Sequence, residues 1–241
     1  MQRCITRTSE AQDECERGSR DILGEIVFVR HGQASFGAED YDRLSALGWQ
    51  QARWLGQHFA ETGVVFDHVV TGTMRRHRET AEAILEACGP HEPVETPGLN
   101  EMDYDLLYDH GEAAELFPPL PDHTRDAFRV TMPILMQAWE DRGFETSHEG
   151  FAEFRDRVVG AVSAAATPGR RVLVVSSGGP KAVLMRHVLG VDSGTMTRLI
   201  LQTRNASFTR FGLYEDGLHL AEYNATPHLM GPERADAITY I

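Results

Sequence analysis

Three residues that could bind and attack an anion stand side by side at positions 30–32. Arg30, His31 and Gly32 directly follow the apolar run at residues 26–29, which is typical of a buried strand. Ligands of open α/β sheets bind where such strands end. A guanidinium, an imidazole and a residue without a side chain suit an anion that approaches the backbone closely. The sequence therefore predicts a phosphate site at this strand end.

A second cluster of cations lies at residues 75–78, near the start of a helix predicted over residues 73–88. The helix dipole already presents positive charge there, so an anion that completes the site would explain Arg75 and Arg76. A solvated basic turn is the alternative. The position of the cluster, after a strand predicted at residues 66–70, favours the anion site.

A glycine-rich turn provides the third element of the site. Ser177, Gly178 and Gly179 follow the apolar strand predicted at residues 171–175 and lead into a helix predicted over residues 181–189. The unpaired N–H groups of such a helix start can cradle an anion. An ordinary strand-to-helix turn would have the same sequence.

These groups together could perform phosphoryl transfer. The imidazole of His31 could attack phosphorus and form a covalent intermediate, and nearby arginines would stabilise charge on the phosphoryl oxygens. Glu101, in an acidic loop at residues 99–105, could protonate the leaving oxygen and then activate water. This scheme needs no metal and no cofactor.

The elements that must position these residues alternate between strand and helix, which predicts an α/β fold with a mostly parallel sheet. Ser45 is expected to cap a first helix over residues 46–61, and Asp216-Gly217 predicts a C-terminal hairpin. An insertion at about residues 104–148, with a kink or boundary at Pro133, is expected to cover the site. Residues 1–24 are expected to form a mobile tail before a single domain at 25–241.

Composition limits the partners and the location. Among 241 residues, 36 acidic side chains against 23 basic ones give a net charge of −13, which disfavours nucleic acid and anionic membranes. Three cysteines without metal-ligand spacing fit a reduced cytoplasm, and no apolar run approaches the roughly 18 residues of a membrane span. We therefore expect a cytoplasmic protein that binds a small phosphorylated metabolite. A homodimer is left open.

Four motifs in a fixed order resemble the histidine phosphatase superfamily, whose fold is also called phosphoglycerate-mutase-like. The similarity extends over residues 26–228. The motifs are the Arg-His-Gly signature at 29–34, Leu-Ser-x-x-Gly-x-x-Gln-Ala at 44–52, Arg-x-x-x-Thr-Ala at 76–81 and Leu-Asn-Glu at 99–101.

The resemblance implies a three-layer fold with helices on both faces of the sheet. It also implies a metal-independent phosphomonoester hydrolase that works through a phosphohistidine. The catalytic residues would be His31 and Glu101. The phosphate-binding residues would be Arg30, Gly32, Arg76, Ser177 and Gly178.

The chain departs from the family at one position, because Ser177 stands where the family usually has a histidine. A serine brings no cationic form, and losing one such donor costs about 3 to 4 kcal/mol in other enzymes. Activity could therefore be weak, unless His77 or Arg75 compensates. The alternatives are an impaired phosphate-binding or regulatory protein and, less favoured, a phosphoglycerate mutase. Ser177 as a nucleophile is disfavoured, because Val175 replaces the first glycine of a hydrolase elbow.

Overall fold

A computed structural model describes residues 21–35, 42–117, 125–142 and 149–240. The strands are β1 Gly24–Arg30, β2 His68–Thr71, β3 Val94–Glu95, β4 Arg171–Ser176, β5 Phe208–Tyr214 and β6 Gly217–Ala225. The α-helices are α1 Ala46–Glu61, α2 Arg75–Cys88, α3 Tyr104–Ala113, α4 Arg125–Arg142, α5 Phe151–Ala165, α6 Gly178–Leu189 and α7 Ser193–Gln202. Most of the tail predicted at 1–24 lies outside the described residues.

The six strands form one sheet in the order β3-β2-β4-β1-β5-β6. The first four strands of that order are parallel, and β5 and β6 are antiparallel, as the mostly parallel sheet and the C-terminal hairpin predicted. In the pairing of β1 with β4, Arg30 lies opposite Ser176. The two strands therefore deliver the segments after residues 30 and 176 to the same edge of the sheet.

Helices cover both faces of the sheet, which confirms the three-layer prediction. Alternate residues of β1 and β4 point to opposite sides, so each strand is apolar throughout. On one side Val27 and Val29 pack with Leu55 of α1 and Ile84 of α2. On the other side the apolar residues of both strands pack with α5 and α6, through Ile26, Phe28, Val172, Val174, Val162 and Leu184.

The insertion contains α3 and α4. Helix α4 continues through Pro133, so this proline lies inside a helix and does not mark its boundary. Met132 and Trp139 of α4 pack on Phe154 of α5 and Met196 of α7. The expectation that the insertion covers the site stays a prediction.

Several predicted boundaries shift by a few residues. Helix α6 begins at Gly178 and not at Lys181, since Pro180 is tolerated in a first turn. Strand β2 begins at His68 rather than Phe66. The predicted cap of α1 is present, because Gly48 N donates to Ser45 Oγ at 3.0 Å. Within the described ranges, no helix is long and apolar enough to cross a bilayer.

His228 makes the fold sensitive to acid. Burial, followed by His58 and Arg234, lowers its pKa from 6.5 to about 3. The unfolded chain binds a proton near pH 6.5 and the folded chain does not, so stability falls as the pH drops from about 6.5 towards 3. We expect His228→Gln to reduce this loss by up to about 1.4 kcal/mol per pH unit. Urea unfolding of both proteins at pH 7, 6 and 5 measures it, and parallel pH dependence would contradict the prediction.

Candidate active site

The end of β1 packs directly against α1. A Cβ atom on Gly32 would lie 2.4 Å from Gly48 O, and one on Gly48 would lie 2.1 Å from Gln33 O. Gln51 Oε1 accepts a hydrogen bond from Gln33 N at 2.9 Å. The two glycines and the glutamine of the first two motifs therefore hold the Arg-His-Gly segment against the helix.

His31 is held in one orientation and one tautomer. Its Nδ1 lies 2.7 Å from Gly32 O, and because a carbonyl oxygen only accepts, Nδ1 carries the hydrogen and Nε2 keeps its lone pair. The residue is 5% exposed. Burial first, then Arg76, Arg30 and His77, lowers its pKa well below 6.5. The imidazole is therefore neutral at pH 7, which is the form that can act as a nucleophile.

Arg76 and Arg75 point in different directions from the first turn of α2. Arg76 is buried, and its Nη1 donates to Asp42 Oδ1 at 2.6 Å. Arg75 is half exposed and pairs with Glu79 at 2.6 Å. Arg76 is therefore the buried one of the two arginines, and it is also the one that matches the family motif. Asp42 was missed by sequence reasoning, because nothing distinguishes it in a polar loop.

Arg30 lies between the start of α6 and the C-terminal segment. A Cβ atom on Gly178 would be 3.7 Å from Arg30 Nε, so the guanidinium rests against the helix start. Its Nη1 donates to the carbonyl oxygens of Thr203 and Tyr240. No pattern in the sequence indicates that residues after 226 contribute to the site.

Glu101 reaches the start of α6 through backbone hydrogen bonds. Gly179 N donates to Glu101 Oε2, and Met102 N donates to Oε1, both at 3.0 Å. A carboxylate has four acceptor positions, so room for a proton or a further donor remains. Gly178 supplies the first N–H of α6, which has no intrahelical acceptor.

Gly179 leaves the space that Glu101 occupies. A Cβ atom on it would lie 2.1 Å from Glu101 Oε1 and 2.4 Å from Met102 Cε. We expect Gly179→Ala to displace the carboxylate and to lower kcat/KM for alkyl phosphates by about 10²-fold or more, since kcat/KM reports departure of the leaving group and not the later attack of water. The loss for p-nitrophenyl phosphate should be smaller, because its leaving group needs no proton.

Gly160→Ala is the matched control for this substitution. A Cβ atom on Gly160 meets nothing within 4 Å, and the position is exposed on α5. Its activity should equal that of the wild type for both substrates. Equal losses of Gly179→Ala on alkyl and aryl phosphates would contradict the assignment of proton donation to Glu101.

Ser177 is paired with a histidine from another element. Its Oγ lies 2.6 Å from His77 Nε2, and both residues are fully buried. The ring centroids of His77 and His31 are 5.8 Å apart. The structure thus brings all seven predicted site residues to one end of the parallel strands, while their chemical roles stay predictions.

Comparison with known proteins assigns the family. Residues 26–226 match the family model of the histidine phosphatase superfamily (branch 1). Similar sequences include the "probable phosphoglycerate mutase GpmB" of Serratia proteamaculans, 28% identical over 77% of this chain and 83% of the relative. The protein of the same name from Citrobacter koseri is 29% identical over 82% and 88%.

Solved structures with the same fold include two phosphatases. A phosphoserine phosphatase mutant from Entamoeba histolytica, in complex with phosphoserine, has a TM-score of 0.63 and 17% identity, covering 86% of this chain and all of that one. The alpha-ribazole phosphatase from Shigella flexneri has a TM-score of 0.58 and 21% identity, covering 84% and 96%. These similarities confirm the predicted fold class.

Proposed function

Because this chain belongs to the histidine phosphatase superfamily, we propose that it hydrolyses phosphomonoesters through a phosphohistidine on His31, without a metal. The observation that carries the proposal is the state of this imidazole. Its Nδ1 is bound to Gly32 O, its pKa is lowered by burial and by two arginines, and its Nε2 keeps the lone pair.

In the first step, His31 Nε2 attacks phosphorus, and the N–P bond forms as the bond to the ester oxygen breaks. Glu101 gives its proton to the leaving oxygen, so an alcohol departs and the carboxylate remains. In the second step, water attacks phosphorus and gives its proton to Glu101 while the N–P bond breaks. Phosphate leaves, and His31 is neutral again.

The negative charge on the phosphoryl oxygens is stabilised by groups that the fold positions before the substrate binds. Gly32 allows close approach to the backbone, but its N–H group already donates to Thr80 Oγ1 at 3.1 Å. Arg30 and Arg76 supply the cations, and the N–H group of Gly178 at the helix start supplies a neutral donor. Fixed donors of this kind stabilise a transition state without reorganisation. They also explain how a protein with a net charge of −13 can attract a phosphate.

The site and the relatives support one class of substrate. A single phosphate cradle with one leaving-group acid suits a small phosphorylated metabolite, such as the phosphoserine or α-ribazole phosphate of the structural neighbours. The sequence relatives named phosphoglycerate mutase support a second candidate. A mutase transfers the phosphoryl group from histidine to a hydroxyl instead of water.

The test is hydrolysis of p-nitrophenyl phosphate, phosphoserine, α-ribazole phosphate and 3-phosphoglycerate in EDTA and ¹⁸O-water. We expect inorganic phosphate that carries one ¹⁸O atom, with rates unchanged by EDTA. Loss of activity in EDTA that a divalent metal restores would contradict the metal-independent scheme. Conversion of 3-phosphoglycerate to 2-phosphoglycerate without phosphate release would favour the mutase, and phosphate binding without turnover would favour the regulatory alternative. A cytoplasmic location stays a prediction, and a homodimer stays open.

A further inference from the structure

His77 is a buried imidazole that the proposed chemistry does not use. It is fully buried, and in the described part of the chain its Nδ1 has no hydrogen-bond partner. Burying a polar atom without a partner costs stability, and burial, Arg76 and Arg78 lower the pKa of this histidine well below 6.5. A small apolar residue at this helix position would avoid these costs.

The chain also makes room for this ring. A Cβ atom on Gly72, just after β2, would lie 2.2 Å from His77 Nδ1. The φ angle of Gly72 is not positive, so the backbone conformation does not require glycine there. The imidazole makes the closest of the contacts that exclude a side chain at position 72, and Asn100 Oδ1, at 2.9 Å from such a Cβ atom, makes another.

We propose that His77 and Ser177 act as one unit, in which the imidazole of α2 orients the Ser177 hydroxyl towards a phosphoryl oxygen. The unit would replace the histidine that the family usually has at position 177. Ser177 touches the phosphoryl group, and His77 is a positioning residue that acts through it. This inference rests on the proposed function.

The tautomer of His77 determines the direction of the Ser177 proton. Nε2 lies 2.6 Å from Ser177 Oγ, whereas no described residue accepts a hydrogen from Nδ1, so a hydrogen on Nε2 has a partner and one on Nδ1 does not. With Nε2–H donating to Oγ, the hydroxyl hydrogen must point elsewhere. The nearby His31 ring, 5.8 Å from His77 between centroids, carries the phosphoryl group in the proposed intermediate. The hydroxyl is thus a donor beside that group, strengthened by the bond it accepts.

The same contact leaves no space for a second imidazole at position 177. Ser177 Oγ is already at hydrogen-bond distance from His77, and both residues are enclosed. Ser177→His alone should therefore overpack the site and lose activity. Ser177→His combined with His77→Ala exchanges the imidazole between the two elements, and we expect the double variant to recover activity to within about tenfold of the wild type.

A double-mutant cycle tests the unit without adding bulk. His77→Ala and Ser177→Ala should each lower kcat about 10²- to 10³-fold, the loss expected for one fixed donor, with KM changed less than kcat. Because both variants remove the same donor, their combination should be no worse than either alone. His77→Asn, whose amide can donate to Oγ, should recover part of kcat. Thermal unfolding of every variant separates loss of fold from loss of activity.

The outcomes separate this inference from the proposed function. An active wild type in which the His77→Ala and Ser177→Ala losses multiply, or in which His77→Ala keeps full kcat, overturns only the His77–Ser177 unit. A wild type without turnover overturns both. Unfolding of Ser177→His alone leaves the alanine cycle to decide.

Discussion

The substitution His31→Ala is expected to lower kcat/KM for phosphomonoesters by roughly 10⁴- to 10⁶-fold, the range seen when a nucleophile or its base is removed from a hydrolase. The Nδ1 of His31 is bound to the neighbouring carbonyl of Gly32 at the end of β1, which leaves Nε2 for phosphorus. Without this imidazole no phosphohistidine can form, and the arginines and Glu101 can only assist direct attack of water on phosphorus.

Rapid-quench labelling with ³²P-phosphorylated substrate measures the intermediate directly. The wild type should give an acid-labile, base-stable phosphoenzyme, as a phosphorus–nitrogen bond requires, and His31→Ala should give none. The control is His219→Ala, which removes an exposed histidine paired with Asp216 on the hairpin and should behave as the wild type. An acid-stable phosphoenzyme on Ser177, or turnover that survives His31→Ala, would refute the phosphohistidine scheme.

The elements that the sequence predicted best are those whose pattern depends only on their own residues. Strands β1 and β4 are continuous apolar runs because both faces are covered, and α1 has a cap and a helical apolar face within 16 residues. Helices α3 and α7 were not predicted. Helix α7 does carry a local signal, since Asp192 caps it and accepts from Thr195 N at 2.7 Å, but it contains two threonines and begins with Ser-Gly. Its helical state therefore also depends on packing of Met196 and Ile200 against other helices.

The same distinction applies to the site. Residues that follow a strand directly, such as His31 and Ser177, could be placed because parallel neighbours end at one edge. Contacts between residues far apart in the chain could not be predicted in this way. The sequence could name His77 only as one of two candidates to compensate for Ser177, which lies 100 positions away, and it did not indicate that Tyr240 meets Arg30 across 210 positions. Those contacts depend on which way each side chain leaves its helix and on the path of the last residues, neither of which has a local signal.

The second large effect on activity is expected at one of the two adjacent arginines of α2. Arg76→Ala should lower kcat/KM by about 10³-fold, the lower limit for an arginine that neutralises a phosphoryl group in transfer. Its neighbour is the matched control, because the Arg75 side chain is half exposed and pairs with Glu79, whose carboxylate is also held by Leu44 N. Arg75→Ala should stay within about twofold of the wild type. Steady-state kinetics and phosphate inhibition constants of both variants measure the difference.

Asp42 makes it possible to test how the charge of Arg76 contributes to activity. Its carboxylate is 2.6 Å from Arg76 in the protein, so removing the guanidinium leaves a negative charge beside the phosphate site. Like charges repel an incoming dianion, and part of the loss in Arg76→Ala should therefore come from Asp42 itself. Adding Asp42→Asn to Arg76→Ala should recover phosphate affinity without restoring kcat, since the carboxamide removes the repulsion but supplies no cation. Recovery of kcat as well would show that Arg76 does not act on the phosphoryl group through its charge, and recovery of neither would show that Asp42 does not repel the phosphate.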